Sequence, residues 1–399
     1  MKAEPRALFL TPEAPYPAVG GGPLRLAALF EYVTARSRLD AIVFREPQAP
    51  DPRSSRVSDL ARRVHIIDIP FHSKAHLARF TRNLSRCLRG APPLTDRFAG
   101  FERQITEALG TERYDFAVLE HFWCAPYAEL LARHAGSLIL DLHNVESVFH
   151  GRCARIERWP VSAIHRRFAS VCRGLERKWL PVFSRVLVPS ESDAAAVRSV
   201  APGARVFVYP NTIPEVLAPE RREEDGIAFT ANMEYPPNAA AVRYFRSEVW
   251  PRLRERWPDL EWRLIGKRPE AVARYVNGDP RIRLIGPVED AIAALSQAKV
   301  AVVPLHAGSG TRMKILEAWA AGTPVVSTSL GAEGIPAADG EHLLIADTPE
   351  TFAAAVSALL ESAELRRRIG AAGRALYERQ FTWPAGWSKL ENFLRLPVL

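Results

Sequence analysis

Short runs of aliphatic and β-branched residues alternate with helical patterns along the chain, and this alternation constrains the fold more than any other feature. It begins near the N-terminus, stops once over residues 210–226 and then begins again. A strand that is followed by a helix and a further strand pairs in parallel, and helices then cover both faces of the sheet. The sequence therefore predicts an α/β protein with two Rossmann-like domains whose mostly parallel sheets face a central cleft.

Thirteen segments are predicted as strands because they are short, aliphatic and bounded by polar or turn-forming residues. They are 7–10, 41–44, 64–69, 116–119, 138–142, 185–188 and 206–209, then 227–230, 262–265, 282–285, 300–303, 324–327 and 343–345. Helices are expected between them, including 96–109, 127–134, 164–180 and 238–249. The segment 210–226 holds three prolines and a charged run, so it is interpreted as a linker. Domains are therefore predicted over 1–209 and 227–381, with a C-terminal helix over 382–399.

Composition excludes several classes of protein. The 399-residue chain is 47% apolar and 25% charged, as globular proteins are. Its four cysteines show no CxxC spacing, which excludes a disulfide scaffold and the common zinc ribbons and favours a reducing cytoplasm. No apolar run could span a membrane, and the N-terminal run over 7–10 is too short for a signal peptide. We expect a cytoplasmic protein, either free or peripheral at the inner face of the membrane.

The clearest ligand-binding pattern follows the strand predicted over 300–303. A glycine-rich loop with Ser309, Gly310 and Thr311 leads into a helix that starts near Arg312. Glycines let the backbone approach an anion, and a helix N-terminus attracts negative charge. Arg312 and Lys314 add positive charge. The pattern predicts a phosphate-binding loop, although it lacks the P-loop sequence and an ordinary strand–loop–helix connection is the alternative.

Glu317 lies one turn into the same helix. A carboxylate at this position can accept hydrogen bonds from two neighbouring hydroxyls, as the ribose of a nucleotide offers. The alternative is a glutamate on the solvated side of the helix. The pattern is therefore compatible with a nucleotide site but does not require one.

These residues lie in a run that resembles a known family. The run over 308–335, GSGTRMKILEAWAAGTPVVSTSLGAEGI, is similar to the nucleotide-sugar signature of retaining glycosyltransferases of family 4, which have the GT-B fold. Further similar segments appear in the family's order: PAVGGGPLR over 17–25, DLHNVES over 141–147, VYPN over 208–211 and FTANMEYPPN over 229–238. The resemblance implies an N-terminal acceptor-binding domain, a C-terminal nucleotide-sugar-binding domain and a last helix that crosses back to the first domain.

The resemblance assigns donor-binding roles in the second half of the chain. Glu317 matches the second glutamate of the family's E-x7-E motif, which contacts the donor ribose. The first glutamate, which touches the donor sugar, is replaced by Ser309. Arg312 and Lys314 would then face the diphosphate. The loop with Gly286 and Val288 resembles the segment that binds the base through its backbone.

In the first half, the resemblance points to one glycine loop and to two strand ends. Gly21 and Gly22 would let the loop approach the donor diphosphate. His143 resembles the family's histidine near the reacting centre. Weaker candidates for acceptor contacts are His121, Asn144, Glu146 and Arg25.

The resemblance also implies a mechanism. The sugar would be transferred with retention of anomeric configuration and without a protein nucleophile, while the donor phosphate helps to take the acceptor's proton. The sequence has no DxD motif, so metal independence is expected, with no cofactor beside the nucleotide-diphospho-sugar donor. The acceptor could be a saccharide, a lipid-linked molecule or a small molecule, in cell-surface polysaccharide or glycolipid biosynthesis. Two alternatives stay open: a non-hydrolysing nucleotide-sugar 2-epimerase, and a non-catalytic nucleotide-sugar-binding protein.

Two helices carry strong positive charge. The net charge is +8, but 46 of the 53 basic residues are arginines, which genome composition could produce. On the helix over 76–89, apolar residues at 77, 80, 84 and 88 lie opposite arginines at 79, 82, 86 and 89, and nine basic residues face two acids over 151–185. Such helices suit an anionic membrane surface or a lipid-diphosphate acceptor, unless their apolar faces are simply core. Nucleic acid is not an expected partner.

Overall fold

The computed structural model describes residues 4–18, 20–73, 75–276, 278–307 and 312–394. The chain divides into two units, one formed by Met1–Asn211 with Trp387–Leu399 and the other by Thr212–Gly386. Each unit has one all-parallel sheet with helices between successive strands, as the alternation predicts. All thirteen predicted strands are confirmed, with shifts of a few residues at their ends.

The first unit has seven strands in the order β3-β2-β1-β4-β5-β6-β7. The strands are β1 (Arg6–Thr11), β2 (Arg38–Arg45), β3 (Arg63–Asp68), β4 (Phe116–Glu120), β5 (Leu138–Asp141), β6 (Arg185–Val188) and β7 (Val206–Val208). The helices are α1 (Gly21–Thr34), α2 (Val57–Leu60), α3 (His76–Arg89), α4 (Pro93–Arg97), α5 (Glu102–Leu109), α6 (Ala128–Leu131), α7 (Glu146–Ile156), α8 (Val161–Trp179) and α9 (Glu191–Val200). Short 3-10 helices lie at Pro52–Ser54, Phe122–Tyr127 and Leu180–Val182.

Two separate cores cover the two faces of this sheet. Successive residues of β1 alternate between them, with Leu8 and Leu10 in one core and Phe9 in the other. A parallel sheet that is buried on both faces needs near-continuous apolar strands, which explains why the strands could be recognised in the sequence. The last helix adds Leu390 and Leu394 to the core that contains Phe9.

The second unit repeats this order with six strands, β10-β9-β8-β11-β12-β13. The strands are β8 (Glu224–Thr230), β9 (Glu261–Ile265), β10 (Ile282–Ile285), β11 (Ala298–Val303), β12 (Val325–Ser327) and β13 (Leu344–Ile345). The helices are α10 (Pro236–Tyr244), α11 (Trp250–Arg256), α12 (Ala273–Val276), α13 (Ala291–Ser296), α14 (Met313–Ala320), α15 (Pro349–Glu361) and α16 (Ala363–Gln380). The last helix, α17 (Trp383–Leu394), begins in this unit and belongs to the first unit from Trp387 onward. A 3-10 helix lies at Pro269–Ala271 and a π-helix at Phe245–Val249.

Part of the segment that was interpreted as a linker is packed within the second unit. Arg221 donates to Thr323 Oγ1 at 2.7 Å and to the carbonyl of Ala298 at 3.0 Å. Glu223 accepts from Arg366 at 2.8 Å. The charged run that resembled a solvated linker is therefore a set of ion pairs and hydrogen bonds beside the sheet.

Several helices differ from the predictions. The helix predicted over 96–109 is two helices, α4 and α5, with Gly100 at a φ of 88° between them. The helix expected over 127–134 is a 3-10 helix followed by the short α6. The helix over 238–249 begins earlier, at Pro236, and ends as a π-helix. Helix α7 was not predicted, because its apolar residues have no clear helical period. Within the described part of the chain, no helix is both long and apolar enough to cross a bilayer.

Candidate functional site

Each sheet has a position where the chain reverses its direction of winding. In the first unit β1 lies between β2 and β4, and in the second β8 lies between β9 and β11. The segments after β1 and β4 enter different cores, since Leu26 of α1 and Phe122 lie on opposite faces of the sheet. Ligands of doubly wound sheets bind outside the carboxyl ends of the strands at such a position. Most of the predicted site residues lie at these two switch points.

In the first unit, His143 contacts the carboxylates that end two neighbouring strands. Glu120 ends β4 and Asp141 ends β5, and the two residues are paired in the parallel register. The Nε2 atom of His143 lies 2.9 Å from Glu120 Oε2 and 3.5 Å from Asp141 Oδ2. Both carboxylates are fully buried. The sequence indicated His143 but not these two partners.

Arg25 of α1 completes this cluster from the other side. It donates to both oxygens of Asp141, with an Nε–Oδ2 distance of 2.7 Å. Its remaining hydrogen bonds go to the Tyr209 carbonyl at 2.7 Å and to Asn211 Oδ1 at 2.9 Å. The side chain is 1% exposed. Arg25 therefore holds internal groups together, and its contact with an acceptor stays a prediction.

The charges of the cluster alter each other's protonation. Burial raises the pKa of Glu120 to about 7, and the nearby Asp141 carboxylate adds to this shift. Burial would also raise the pKa of Asp141, but Arg25 and His143 outweigh burial and lower it. Burial opposes charge on His143, yet hydrogen bonds to Asp141 and Glu120 raise its pKa to about 9. Between pH values of about 7 and 9, one imidazolium and one guanidinium therefore balance two carboxylates.

The same three residues offer the donor atoms that a metal ion would need. Glu120, Asp141 and His143 each have a ligand atom within 4.8 Å of the others. However, both oxygens of Asp141 already accept hydrogen bonds from Arg25, and the guanidinium charge repels a second cation at this distance. The donor set therefore favours an internally balanced charge cluster over a metal centre.

The other ring nitrogen of His143 faces the predicted glycine loop. A Cβ atom at Gly22 would lie 3.8 Å from His143 Nδ1 and 3.1 Å from Glu13 Oε1. Gly21 and Gly22 form the first residues of α1, and Gly20 before them has a φ of 95°. A larger side chain at Gly22 would crowd both polar groups. The structure shows that Gly22 approaches Glu13 and His143, while the approach of this loop to a donor diphosphate stays a prediction.

The acceptor candidates lie in the loops that follow β4 and β5. His121 has a φ of 61°, and its ring stacks on Trp123 at 4.0 Å and lies 3.6 Å from the ring of His143. Burial and His143 lower the pKa of His121 well below its usual value. Trp123 donates to Glu146 at 3.0 Å, and burial raises the pKa of Glu146 to about 7. Asn144 lies in the loop between β5 and α7.

In the second unit, the start of α14 meets the segment after β8. Lys314 donates from Nζ to Asn238 Oδ1 at 2.9 Å, and its ammonium lies 4.3 Å from the ring centre of Phe229. Arg312 is the N-cap residue of α14 and is 8% exposed. Two segments of the family resemblance, over 229–238 and over 308–335, are therefore in direct contact.

Glu317 lies one turn further along α14 and faces the same strand. Its Oε2 accepts a hydrogen bond from Thr230 Oγ1 at 3.3 Å. Burial raises the pKa of Glu317, while Lys314 opposes the shift. Burial and the charge of Arg312 lower the pKa of Lys314 to about 7. Lys314 is therefore close to two charges of opposite sign, and an anion bound beside Arg312 and Lys314 would favour the charged form of the lysine.

The remaining donor predictions lie around the same sheet edge or outside the described residues. Gly286 and Val288 follow β10 directly, at its carboxyl end. Ser309, Gly310 and Thr311 lie outside the described residues. The loop after β12 is closely packed, because a Cβ atom at Gly331 would lie 2.8 Å from the Val303 carbonyl.

Sequence reasoning missed four polar partners of the predicted residues. They are Glu120, Asp141, Thr230 and Asn238. Glu120, Asp141 and Thr230 each end a predicted strand, and carboxyl ends of neighbouring parallel strands meet at one edge of the sheet. Their position at the ends of predicted strands could therefore have indicated all three as site residues. Asn238 had no such signal, because its contact depends on how α10 packs.

The two basic helices of the first unit differ in which face is buried. The apolar residues at 77, 80, 84 and 88 of α3 are between 44% and 77% exposed. Its Arg86 is buried and donates to Asp96 Oδ2 at 2.8 Å, and Arg89 donates to the other oxygen. In α8, by contrast, Phe168 and Trp179 are buried. The alternative that the apolar face of each helix is part of the core is therefore confirmed for α8 and wrong for α3.

Two units that each contain a doubly wound parallel sheet are the arrangement of the GT-B fold. Comparison with known proteins supports this fold. Residues 224–362 match the family model described as glycosyl transferases group 1. A phosphatidyl-myo-inositol mannosyltransferase of Mycobacterium tuberculosis is 31% identical over 208 residues, 50% of this chain and 50% of that protein. The chain thus spans about half the length of the mannosyltransferases that it matches first.

Solved structures show the fold over the whole chain. Sucrose-phosphate synthase from Thermosynechococcus elongatus has a TM-score of 0.74 at 15% identity and covers 98% of both chains. HepE from Anabaena, in complex with UDP and glucose, has a TM-score of 0.65 at 14% identity and covers 98% of this chain and 99% of its own. The predicted fold class and the resemblance to GT-B glycosyltransferases are confirmed.

Proposed function

We propose that this protein is a glycosyltransferase that moves a sugar from a nucleotide-diphospho-sugar to an acceptor hydroxyl. The transfer retains the anomeric configuration, needs no metal ion, and serves the synthesis of a cell-surface polysaccharide or glycolipid. The match to glycosyl transferases group 1 over 224–362 supports the reaction class. The mannosyltransferase relative, which by its name acts on phosphatidyl-myo-inositol, supports an acceptor of the glycolipid kind.

The observation that carries the proposal is the cluster at the start of α14. Arg312 and Lys314 bring two basic groups to one helix N-terminus, where a diphosphate would also meet the helix dipole. Glu317 stands one turn away and can accept hydrogen bonds from a ribose. The leaving group of the reaction is a nucleoside diphosphate, so this cluster would stabilise the charge that develops as the sugar departs.

In the first unit, the His143 cluster would supply a fixed hydrogen-bond donor. Glu120 and Asp141 hold Nε2, and Nδ1 is directed towards Gly22. A charged imidazole in this position donates from Nδ1 and cannot act as a general base. That role suits a reaction in which the donor phosphate takes the proton of the acceptor. The protein then orients the substrates and stabilises the charge that develops on the leaving group.

We further propose that α3 brings the protein to an anionic membrane surface. Its four apolar residues at 77, 80, 84 and 88 point outward, while Arg86 and Arg89 anchor the helix to Asp96. An exposed apolar stripe beside positive charge suits the interface of a bilayer. The expected result is that Leu77→Ser with Leu88→Ser lowers sedimentation with vesicles that contain phosphatidylglycerol. Leu217→Ser is the control, since Leu217 is 94% exposed and lies in the second unit.

The first experiment on function follows donor consumption. The protein is incubated with UDP-, GDP- and ADP-sugars in EDTA, and nucleotide diphosphate and sugar products are measured. We expect release from one donor that survives EDTA and is lost in Glu317→Ala, because that change removes the ribose contact. Glu364→Ala is the matched control, because this glutamate lies exposed in the first turn of α16.

Three other outcomes would contradict the proposal in different ways. Binding of a nucleotide-sugar without turnover, even with a glycolipid acceptor present, would favour a binding protein. Conversion of the donor to an epimer without any acceptor would favour an epimerase. Loss of turnover in EDTA that Mg²⁺ or Mn²⁺ restores would end the claim of metal independence.

A further inference from the structure

A groove of about 370 Å³ lies between α7 and α8, and none of the residues that line it belongs to the proposed reaction. Its size is in the range of small-molecule sites. Four small or polar residues and three arginines line it: Gly151, Ala154, Ala169 and Ser170, with Arg155, Arg166 and Arg173. A groove floored by small residues and edged by one kind of charge has the composition of an anion site.

The spacing of these residues explains how the groove forms. Positions 151, 154 and 155 of α7 lie on one helical face, and positions 166, 169, 170 and 173 of α8 lie on another. Because four of these residues have small side chains, little side-chain volume fills the space between the two helices. The longer arginine side chains stand at the edges. The opposite face of α8 carries Phe168 and Trp179 into the core, which fixes the orientation of the helix.

Within the described part of the chain, Arg155 and Arg166 have no carboxylate partner, whereas Arg173 interacts electrostatically with Glu176. Elsewhere exposed arginines are commonly paired, as Arg103 is with Glu107 at 2.8 Å. Residues 151–185 hold nine basic residues and only two acids. One of the acids, Glu176, is buried and accepts hydrogen bonds from the N–H and Oγ of Ser147. The positive charge at the groove is therefore only partly balanced from within this helix pair.

We propose that this groove binds a phosphate group. Guanidinium groups grip phosphate oxygens through two parallel hydrogen bonds, and three of them around one groove favour phosphate over a simple halide or a neutral ligand. The phosphate could belong to a soluble molecule or to the head group of an anionic lipid. The site is separate from the proposed nucleotide cluster, so this proposal does not depend on the proposed function.

One feature near the groove separates the two sources of phosphate. Trp159 lies in the turn between α7 and α8 and is 81% exposed. Tryptophan favours the interface of a bilayer, where its ring is half in contact with lipid. Removal of this ring should weaken attachment to a lipid surface. It should leave the binding of a soluble phosphate unchanged.

The test measures two probes on the full chain. Inorganic pyrophosphate is titrated calorimetrically in saturating UDP, GDP and ADP together, which keeps the proposed nucleotide site occupied. Vesicles of phosphatidylcholine with about 30 mol% phosphatidylglycerol are used for co-sedimentation. The variants are Arg155→Gln, Arg166→Gln and Arg173→Gln combined, and the same three positions changed to lysine. The control removes equal charge from exposed arginines elsewhere, through Arg133→Gln, Arg243→Gln and Arg367→Gln.

We expect the triple glutamine variant to weaken binding of at least one probe by about tenfold or more. The lysine variant should lose part of that binding at unchanged net charge, because lysine cannot make the paired hydrogen bonds. Vesicle binding that also falls in Trp159→Ser would assign the phosphate to a lipid head group. Pyrophosphate binding that is insensitive to Trp159→Ser would assign it to a soluble molecule. The proposal is overturned if neither probe responds to the glutamine variant, or if the control variant loses as much.

Discussion

The two units repeat one strand order, yet the charged clusters at their switch points are built in opposite ways. In the first unit, Glu120 and Asp141 face Arg25 and His143, so the charges cancel within the cluster. In the second, Lys314 lies close to both the positive charge of Arg312 and the carboxylate of Glu317.

The pKa shifts follow this difference in charge. The excess of acid around His143 raises the pKa of that histidine to about 9 against the effect of burial. Burial and the charge of Arg312 lower the pKa of Lys314 to about 7, although Glu317 opposes the shift. A cluster that is neutral by itself orients its members. A cluster that brings two basic groups close together is suited to an anion. The repulsion between these groups disfavours the charged form of Lys314 in the ligand-free protein.

The largest expected effect is a loss of stability when Arg25 is removed from the balanced cluster of the first unit. Arg25→Met leaves Asp141 buried without its main partner, and the free energy of unfolding of the first unit should fall by about 3–5 kcal/mol. Urea unfolding measures this loss of free energy, and hydrogen exchange at the amides of β1 and β5 locates it in the first unit. Arg103→Met is the control, because its exposed ion pair should contribute less than about 1 kcal/mol. Equal losses in both variants would show that the Arg25 cluster does not stabilise the unit.

The next effect tests the unbalanced cluster. Lys314→Met should weaken nucleoside diphosphate binding by about 1.5–3 kcal/mol, since a charged hydrogen-bond donor is lost. In the wild type, binding should weaken as the pH rises above about 7, because the lysine loses its proton. Calorimetry at pH 6 and pH 8.5 measures both changes. Binding that does not depend on pH, or that survives the substitution, would remove Lys314 from the site.

The same variant should have the opposite effect on stability. The unfolded chain holds the lysine proton to a higher pH than the folded chain, so the buried lysine destabilises the ligand-free protein below its unfolded pKa. Lys314→Met should therefore melt at a higher temperature than the wild type. The gain should be greatest below pH 7 and shrink as the pH rises further. A lower melting temperature would contradict this account.

A smaller effect should follow when one carboxylate of the first cluster is neutralised. Glu120→Gln should lower the pKa of His143 by about one unit, or about 1.4 kcal/mol. The raised pKa stabilises the wild-type unit below the pKa of an unfolded histidine, and this contribution is lost as the pH rises through about 9. NMR titration of the imidazole measures the shift. Glu129→Gln, an exposed acid on α6, should leave the titration unchanged.

The smallest effect should separate ribose from phosphate. Glu317→Gln should weaken a nucleoside diphosphate about fivefold, or about 1 kcal/mol, because an amide replaces a carboxylate acceptor. Pyrophosphate, which has no ribose, should bind the variant no more weakly than the wild type. Glu364→Gln is the control. An equal loss for both ligands would assign Glu317 to the phosphate or to the shape of the site.

The sequence by itself determined the parts that depend on near neighbours in the chain. Buried parallel strands such as β1 and β11 appear as continuous apolar runs, so they could be recognised without partners. The glycines before α1 and the basic residues at the start of α14 are equally local signals. Lys314 and Glu317 are three residues apart, which places them on one side of a helix wherever that helix lies.

Only the tertiary structure decided which groups meet and how they are charged. The strand order brings Glu120 next to Asp141, and helix packing brings Asn238 to Lys314. Hydrophobic periodicity shows that α3 has two faces, but packing buries Arg86 and leaves Leu77 exposed. The physical reason is the same in each case. A local pattern fixes the direction of a side chain within its own element, whereas its partners, its burial and therefore its pKa depend on segments far away in the chain.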